Sequence, residues 1–218
     1  MSVFAVFIKN MLDYSRLYLP NEQYPNGGKM SVALNLLTVG DMVEIKGPLG
    51  SFVWNGQGIA RWKEIQHSPR RIGMICGGSG ATQNLPMTKC VLRYSIGITP
   101  ILQVLRGILH DPVDTETEVW LIYSNKTKDD ILCDEELNEL SKSHGKNRFY
   151  LHHTLSMVPE NWMYSMGRIN DMMLENYFPK PSSDSLVLAC GPDAMIAETV
   201  KPGLSRLGWD VDRCLVVF

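Results

Sequence analysis

The sequence predicts an α/β fold: a doubly wound parallel sheet preceded by a truncated antiparallel β-barrel. Three observations carry this. From residue 70 onward, apolar strand-like runs alternate with segments of helical period, a pattern that builds a parallel sheet with helices on both faces. The first 66 residues instead hold short strand-like runs between turns rich in Gly, Pro and Asn, which reads as antiparallel pairing. Two strands of the second part run straight into glycine, at Cys76-Gly77-Gly78 and at Cys190-Gly191. Open α/β sheets keep their crevice at such strand ends.

The elements follow in order. Strand candidates in the first part are residues 3–8, 42–45 and 51–54, with turns at Pro25-Asn26-Gly27-Gly28 and Gly47-Pro48-Leu49-Gly50. That is too little chain for a whole barrel. Residues 57–70 mix Gly, Trp, Pro and charges without a period, and the domain boundary is assigned there. The domains are therefore 1–66 and 70–218. In the second part, strands are expected at 71–76, 119–123, 148–155, 186–190 and 214–218. Helices are expected at 98–109, 135–143, 169–177 and 192–200. The first has apolar residues at 98, 101, 102, 105, 108 and 109, one face of a helix.

The bulk numbers exclude several classes. With 44% hydrophobic and 20% charged residues, the 218-residue chain has the balance of a globular protein. A net charge of -2 gives no reason to expect nucleic acid or an anionic membrane as partner. No apolar run approaches the roughly 20 residues that span a bilayer, and the N-terminus has no basic n-region or cleavage site. The five cysteines are odd in number and form no C-x-x-C pair. This argues against a disulfide framework or a metal site and for a reducing, cytoplasmic setting.

Three motifs carry chemistry. Gly77-Gly78-Ser79-Gly80 follows a predicted strand; glycines there let backbone amides approach a pyrophosphate. Cys190-Gly191-Pro192-Asp193-Ala194-Met195 delivers a soft thiol to a strand end, with room beside it at Gly191 and a helix start at Pro192. Gly27-Gly28-Lys29-Met30-Ser31 combines backbone freedom, a cation and a hydroxyl, a set that can hold a phosphate. Each motif alone also suits a structural turn.

Their order is more telling. Together with the stretches 40–52, 125–137, 164–171 and the terminal 215–218, they make residues 18–218 resemble the ferredoxin-reductase-like flavoprotein superfamily. Within it, the chain looks most like the flavin and NAD(P)H portion of eukaryotic nitrate reductases, with cytochrome b5 reductases next. The resemblance implies a FAD-binding barrel, an NAD(P)-binding α/β domain and an oxidoreductase that passes a hydride from NADH or NADPH to FAD. Electrons then go to a haem domain. Haem and molybdenum cofactor would sit in other domains, and the full-length enzyme would be a homodimer. By the same resemblance, Gly28, Lys29, Met30 and Ser31 meet the FAD pyrophosphate. Gly77, Gly78, Gly80, Thr99 and Pro100 line the nucleotide crevice. Cys190 acts at the nicotinamide by positioning it, and Gly191, Pro192 and Met195 shape the same pocket. Phe218 packs near the rings or simply ends a core strand. Ser156 falls where related NADH enzymes can carry an acid that disfavours a 2′-phosphate.

Two departures stand out. The family's first flavin motif, Arg-x-Tyr-Ser/Thr, is absent, and residues 1–17 show none of the family's motifs. The nucleotide motif is also split: Gly80 is separated from Ile98-Thr99-Pro100 by residues 81–97, a 17-residue insert. The insert follows one Gly and ends on another. Gly-Ala and Ile-Gly codon pairs can contain splice-site dinucleotides, so 81–97 reads as a translated intron. Alternatives are a free-standing cytochrome b5 reductase-like enzyme and an inactive remnant that binds nucleotide or a partner. His152 and His153 point to opposite faces of a strand, which argues against joint metal binding.

Overall fold

The computed structural model describes residues 36–38, 41–42, 50–78, 97–145 and 147–218. The predicted strands at 3–8 and 42–45 (beyond Met42), Gly28 to Ser31, Gly80 and the insert up to residue 96 lie outside these. The described residues from Gly50 onward form one compact unit.

That unit opens with three antiparallel strands, β1 (Phe52–Gly56), β2 (Ile59–Trp62) and β3 (Ile65–His67). The sequence signals only β1, since 57–70 carries no strand period. The reason lies in the turns. Gln57, Lys63 and Glu64 all take positive φ, a conformation that tight hairpins normally announce with Gly or Asn. Lys63-Glu64 carries no such signal.

The main sheet has six parallel strands in the order β7-β6-β5-β4-β8-β9. They are β4 (Arg71–Gly77), β5 (Glu118–Asn125), β6 (Phe149–Leu155), β7 (Ser165–Met166), β8 (Ser185–Cys190) and β9 (Leu215–Val217). The expected doubly wound α/β sheet is present. Helix α1 (Ile98–Leu109) buries Ile98, Ile101, Leu102, Val104, Leu105, Ile108 and Leu109. Together with α2 (Asp134–His144) it covers one face, over Ile72, Met74, Leu121 and Leu188. The other face, at Ile75, Ile122 and Val187, is covered by α3 (Asp171–Tyr177) and α5 (Lys201–Arg206). The strand ladder satisfies the backbone, and burial of both faces accounts for the near-continuous apolar runs of β4 and β8.

Two helix boundaries differ from expectation. The helix foreseen at 169–177 begins at Asp171, because the Asn170 side chain accepts the Met173 amide at 3.0 Å and caps it. The helix foreseen at 192–200 is a short α4 (Asp193–Met195) leading through a π-helical turn, Ile196–Val200, into α5. Pro202 has no amide to return to the preceding turn, and the backbone widens just before it. A last turn, α6 (Val211–Cys214), precedes β9.

The small sheet is held to α1 and to the loop that follows it. Gly107 lets the Trp54 ring lie close, with Trp54 Cδ1 3.3 Å from where a Cβ would stand. Asp111 accepts the Gln57 amide at 2.6 Å, tying the β1–β2 turn to the end of α1. This amide holds the Asp111 carboxyl below its ordinary range.

Candidate functional site

The strand order reverses at β4. From β4 the chain steps outward through β5, β6 and β7, then returns to β4's other side with β8 and β9. A crevice opens at the carboxyl ends of strands where such a reversal occurs. Here those ends are Gly77 and Cys190, and Cys76 and Cys190 are direct neighbours in the register.

Glycines let the backbone pack closely at these strand ends. A Cβ on Gly77 would stand 2.7 Å from Met195 Sδ. One on Gly191 would stand 2.5 Å from Met195 Cε and 3.3 Å from the Gly77 carbonyl oxygen. One on Gly97, the residue before α1, would stand 2.3 Å from the Cys190 carbonyl oxygen and 2.7 Å from that of Gly77. The Gly78 amide donates to the Ser124 carbonyl at 3.1 Å, which anchors the loop start to β5. Thr99 and Pro100 lie in the first turn of α1. Thr99 Oγ1 is buried and has no hydrogen-bond partner among the described residues. A buried hydroxyl without a partner is costly and marks a place where a ligand group fits.

The Cys190 side chain is nearly enclosed, with Sγ 3.9 Å from the Phe218 carbonyl oxygen. Burial pushes its thiol pKa up. The neighbouring Cys76 thiol is raised further, by complete burial and by Cys190 beside it. Both are therefore neutral thiols at physiological pH, unsuited to nucleophilic attack. Phe218 donates its amide to the Ala189 carbonyl at 3.0 Å and meets Phe52 edge-on, ring centroids 5.8 Å apart.

Gly77, Gly78, Thr99, Pro100, Cys190, Gly191, Pro192 and Met195 thus converge at one end of the sheet. Gly28, Lys29, Met30, Ser31 and Gly80 lie outside the described residues. Gly97 was missed by sequence reading, although its position directly before Ile98-Thr99-Pro100 was the available signal. Among the described residues no three His, Cys, Asp or Glu side chains group as a metal site. No helix there is long and apolar enough to cross a membrane.

Comparison with known proteins identifies both parts of the chain. Residues 96–201 match the oxidoreductase NAD-binding domain family, and residues 3–54 match the oxidoreductase FAD-binding domain family. The second match begins inside the 1–17 stretch that motif reading had set apart. The NADH nitrate reductase 2 of Phaseolus vulgaris is 37% identical over 196 residues, 90% of this chain and 20% of that protein. The NAD(P)H nitrate reductase of Betula pendula is 36% identical over 198 residues, 91% of this chain and 20% of that protein. The chain thus spans about a fifth of these relatives. Among solved structures, the cytochrome b5 reductase domain of Ulva prolifera nitrate reductase superposes with a TM-score of 0.76 at 33% identity, covering 92% of this chain and 68% of that one. The CS-b5R domains of human Ncb5or share the fold, with a TM-score of 0.61 at 22% identity. The chain belongs to the family of NAD(P)H-dependent FAD oxidoreductases that includes the cytochrome b5 reductase domain of nitrate reductase.

Proposed function

We propose that this chain is the reductase portion of a longer, cytoplasmic nitrate reductase, reducing FAD with NADH or NADPH and passing electrons to a haem domain. The observation that carries the reading is the convergence of Gly77, Gly97 and Gly191 with Thr99 and Cys190 at the sheet's switch point. A nicotinamide nucleotide suits that crevice. Three glycines bring backbone close together there with only the flexible Met195 side chain between, and the Thr99 hydroxyl has no partner among the described residues.

In this reading, Gly77, Gly78 and the start of α1 with Thr99 and Pro100 hold the pyrophosphate. Amides at a helix start favour an anion. Gly191, Pro192 and Met195 flank the nicotinamide, and Cys190 sets its plane as a neutral thiol. Gly28, Lys29, Met30 and Ser31 hold the FAD pyrophosphate. The bound cofactors supply hydride and single-electron transfer; the protein aligns the rings and excludes water. Residues 1–66 then form the FAD-binding part and 70–218 the NAD(P)H-binding part, interrupted at 81–97. Haem and molybdenum cofactor lie elsewhere in the longer protein, which pairs as a homodimer.

The test is a visible spectrum of the purified chain supplied with FAD, followed by anaerobic titration with NADH and NADPH. A flavin band that bleaches on titration, with ferricyanide reduction under turnover, supports the reading. A bound flavin that neither nucleotide bleaches contradicts it.

A further inference from the structure

The split nucleotide loop contains two candidate glycines, Gly80 before the insert and Gly97 at its end. Excising 81–97 or 80–96 leaves the same sequence, so the residue string cannot say which glycine belongs to the loop. The geometry does. We propose that Gly97 is the glycine that closes the nucleotide loop in this chain, and that residues 80–96 are an addition that can be excised without moving β4, β8 or α1. The nucleotide part of this rests on the function proposed above; the excision part does not.

The first half follows from contact. A Cβ on Gly97 would collide with two backbone carbonyls, those of Cys190 and Gly77. Backbone cannot swing aside as a side-chain tip can, so only glycine fits where α1 meets both strand ends.

The second half follows from reach. The ideal Cβ of Gly97 lies 2.7 Å from the Gly77 carbonyl oxygen. Standard peptide geometry then puts the Gly97 Cα within about 7 Å of the Gly78 Cα. Two peptide units also reach about 7 Å. Ser79 alone therefore spans from Gly78 to Gly97. Both ends are anchored: Gly78 by its bond to Ser124, and α1 by the buried Ile98 and Ile101. An 18-residue connection needs no such closeness. Its closure entropy changes slowly with length, and its ends could stand roughly 60 Å apart when extended. The ends instead sit where an uninterrupted loop would put them.

Three variants of the full chain test this: Gly97→Ala, Gly80→Ala and deletion of 80–96. Each is read by thermal melting and by tryptophan-fluorescence titration with NADH. The deletion variant is expected to melt cooperatively, no lower than the parent, and to bind NADH at least as tightly. Gly97→Ala is expected to lower the melt and to weaken NADH binding on the order of tenfold. A deletion variant without a cooperative melt overturns the proposal. So does a Gly80→Ala variant that loses more than Gly97→Ala in both readouts. If the deletion variant melts normally while neither it nor the parent binds NADH, the excision stands and the nucleotide reading fails.

Discussion

A Cβ built on Gly97 would stand 2.3 Å from the carbonyl oxygen of Cys190. The residue before α1 therefore meets the end of β8 backbone against backbone. Overpacking a fitted site costs about 1–3 kcal/mol, and rigid backbone neighbours put this site at the upper end. Gly97→Ala is expected to destabilise the chain by about 3 kcal/mol, seen as a lower urea midpoint. An unchanged midpoint would show that α1 does not pack there.

Cys190 is a neutral, enclosed thiol at the crevice. It is assigned to ring alignment, so Cys190→Ala is expected to lower kcat on the order of tenfold while the dissociation constant for NADH changes little. Stopped-flow flavin reduction separates the two quantities. A loss confined to binding would remove Cys190 from the alignment role.

His153 gives the fold a pH dependence. It is 1% exposed and sits among Tyr123, Trp162 and Tyr164. Burial lowers its pKa from 6.5 to about 4, opposed by Asp134, whose carboxylate lies 3.9 Å away, and assisted by His152. The folded state thus resists protonation that the unfolded chain accepts. Stability is complete above pH 6.5 and falls as the pH drops from 6.5 toward 4. A shift of that size corresponds to about 3 kcal/mol. Burial lowers the His152 pKa as well, with the same sign. Urea titrations across this range should show the slope, and it should be much reduced in His153→Phe. Equal slopes in both proteins would assign it elsewhere.

Ser156 follows β6 directly, is exposed, and donates its amide to the Asn125 carbonyl at 3.1 Å. An acid there would repel a 2′-phosphate and hydrogen-bond a free 2′-hydroxyl. Ser156→Asp is expected to shift the kcat/KM ratio toward NADH by about 1–2 kcal/mol, roughly tenfold. An unchanged ratio would place the ribose elsewhere.

Much of the parallel sheet was legible in the sequence, because its strands are buried on both faces and read as apolar runs. Helix α1 was legible from its apolar spacing alone. The β2 and β3 hairpins were not, because Lys63 and Glu64 adopt positive φ without the residues that usually mark it. The two strand ends at Gly77 and Cys190 were legible, because a buried run stops at glycine in each. Gly97 was obscured by Gly80, since the two are equivalent in sequence, and its contacts with the carbonyls of Gly77 and Cys190 appear only in the fold. The π turn before Pro202 left no periodic trace, because both helical segments share one apolar face.

In the proposed function a nicotinamide nucleotide binds at the ends of β4 and β8. Calorimetric titration of NAD+ into the chain and into Gly191→Val tests it most directly. The valine Cβ would meet the flexible tip of Met195 at 2.5 Å and the Gly77 backbone at 3.3 and 3.4 Å, so the space between the strand ends fills at some cost in stability. Saturable binding by the parent, weakened on the order of a hundredfold in a Gly191→Val variant that still melts cooperatively, is the predicted result. Equal binding by both proteins would contradict it.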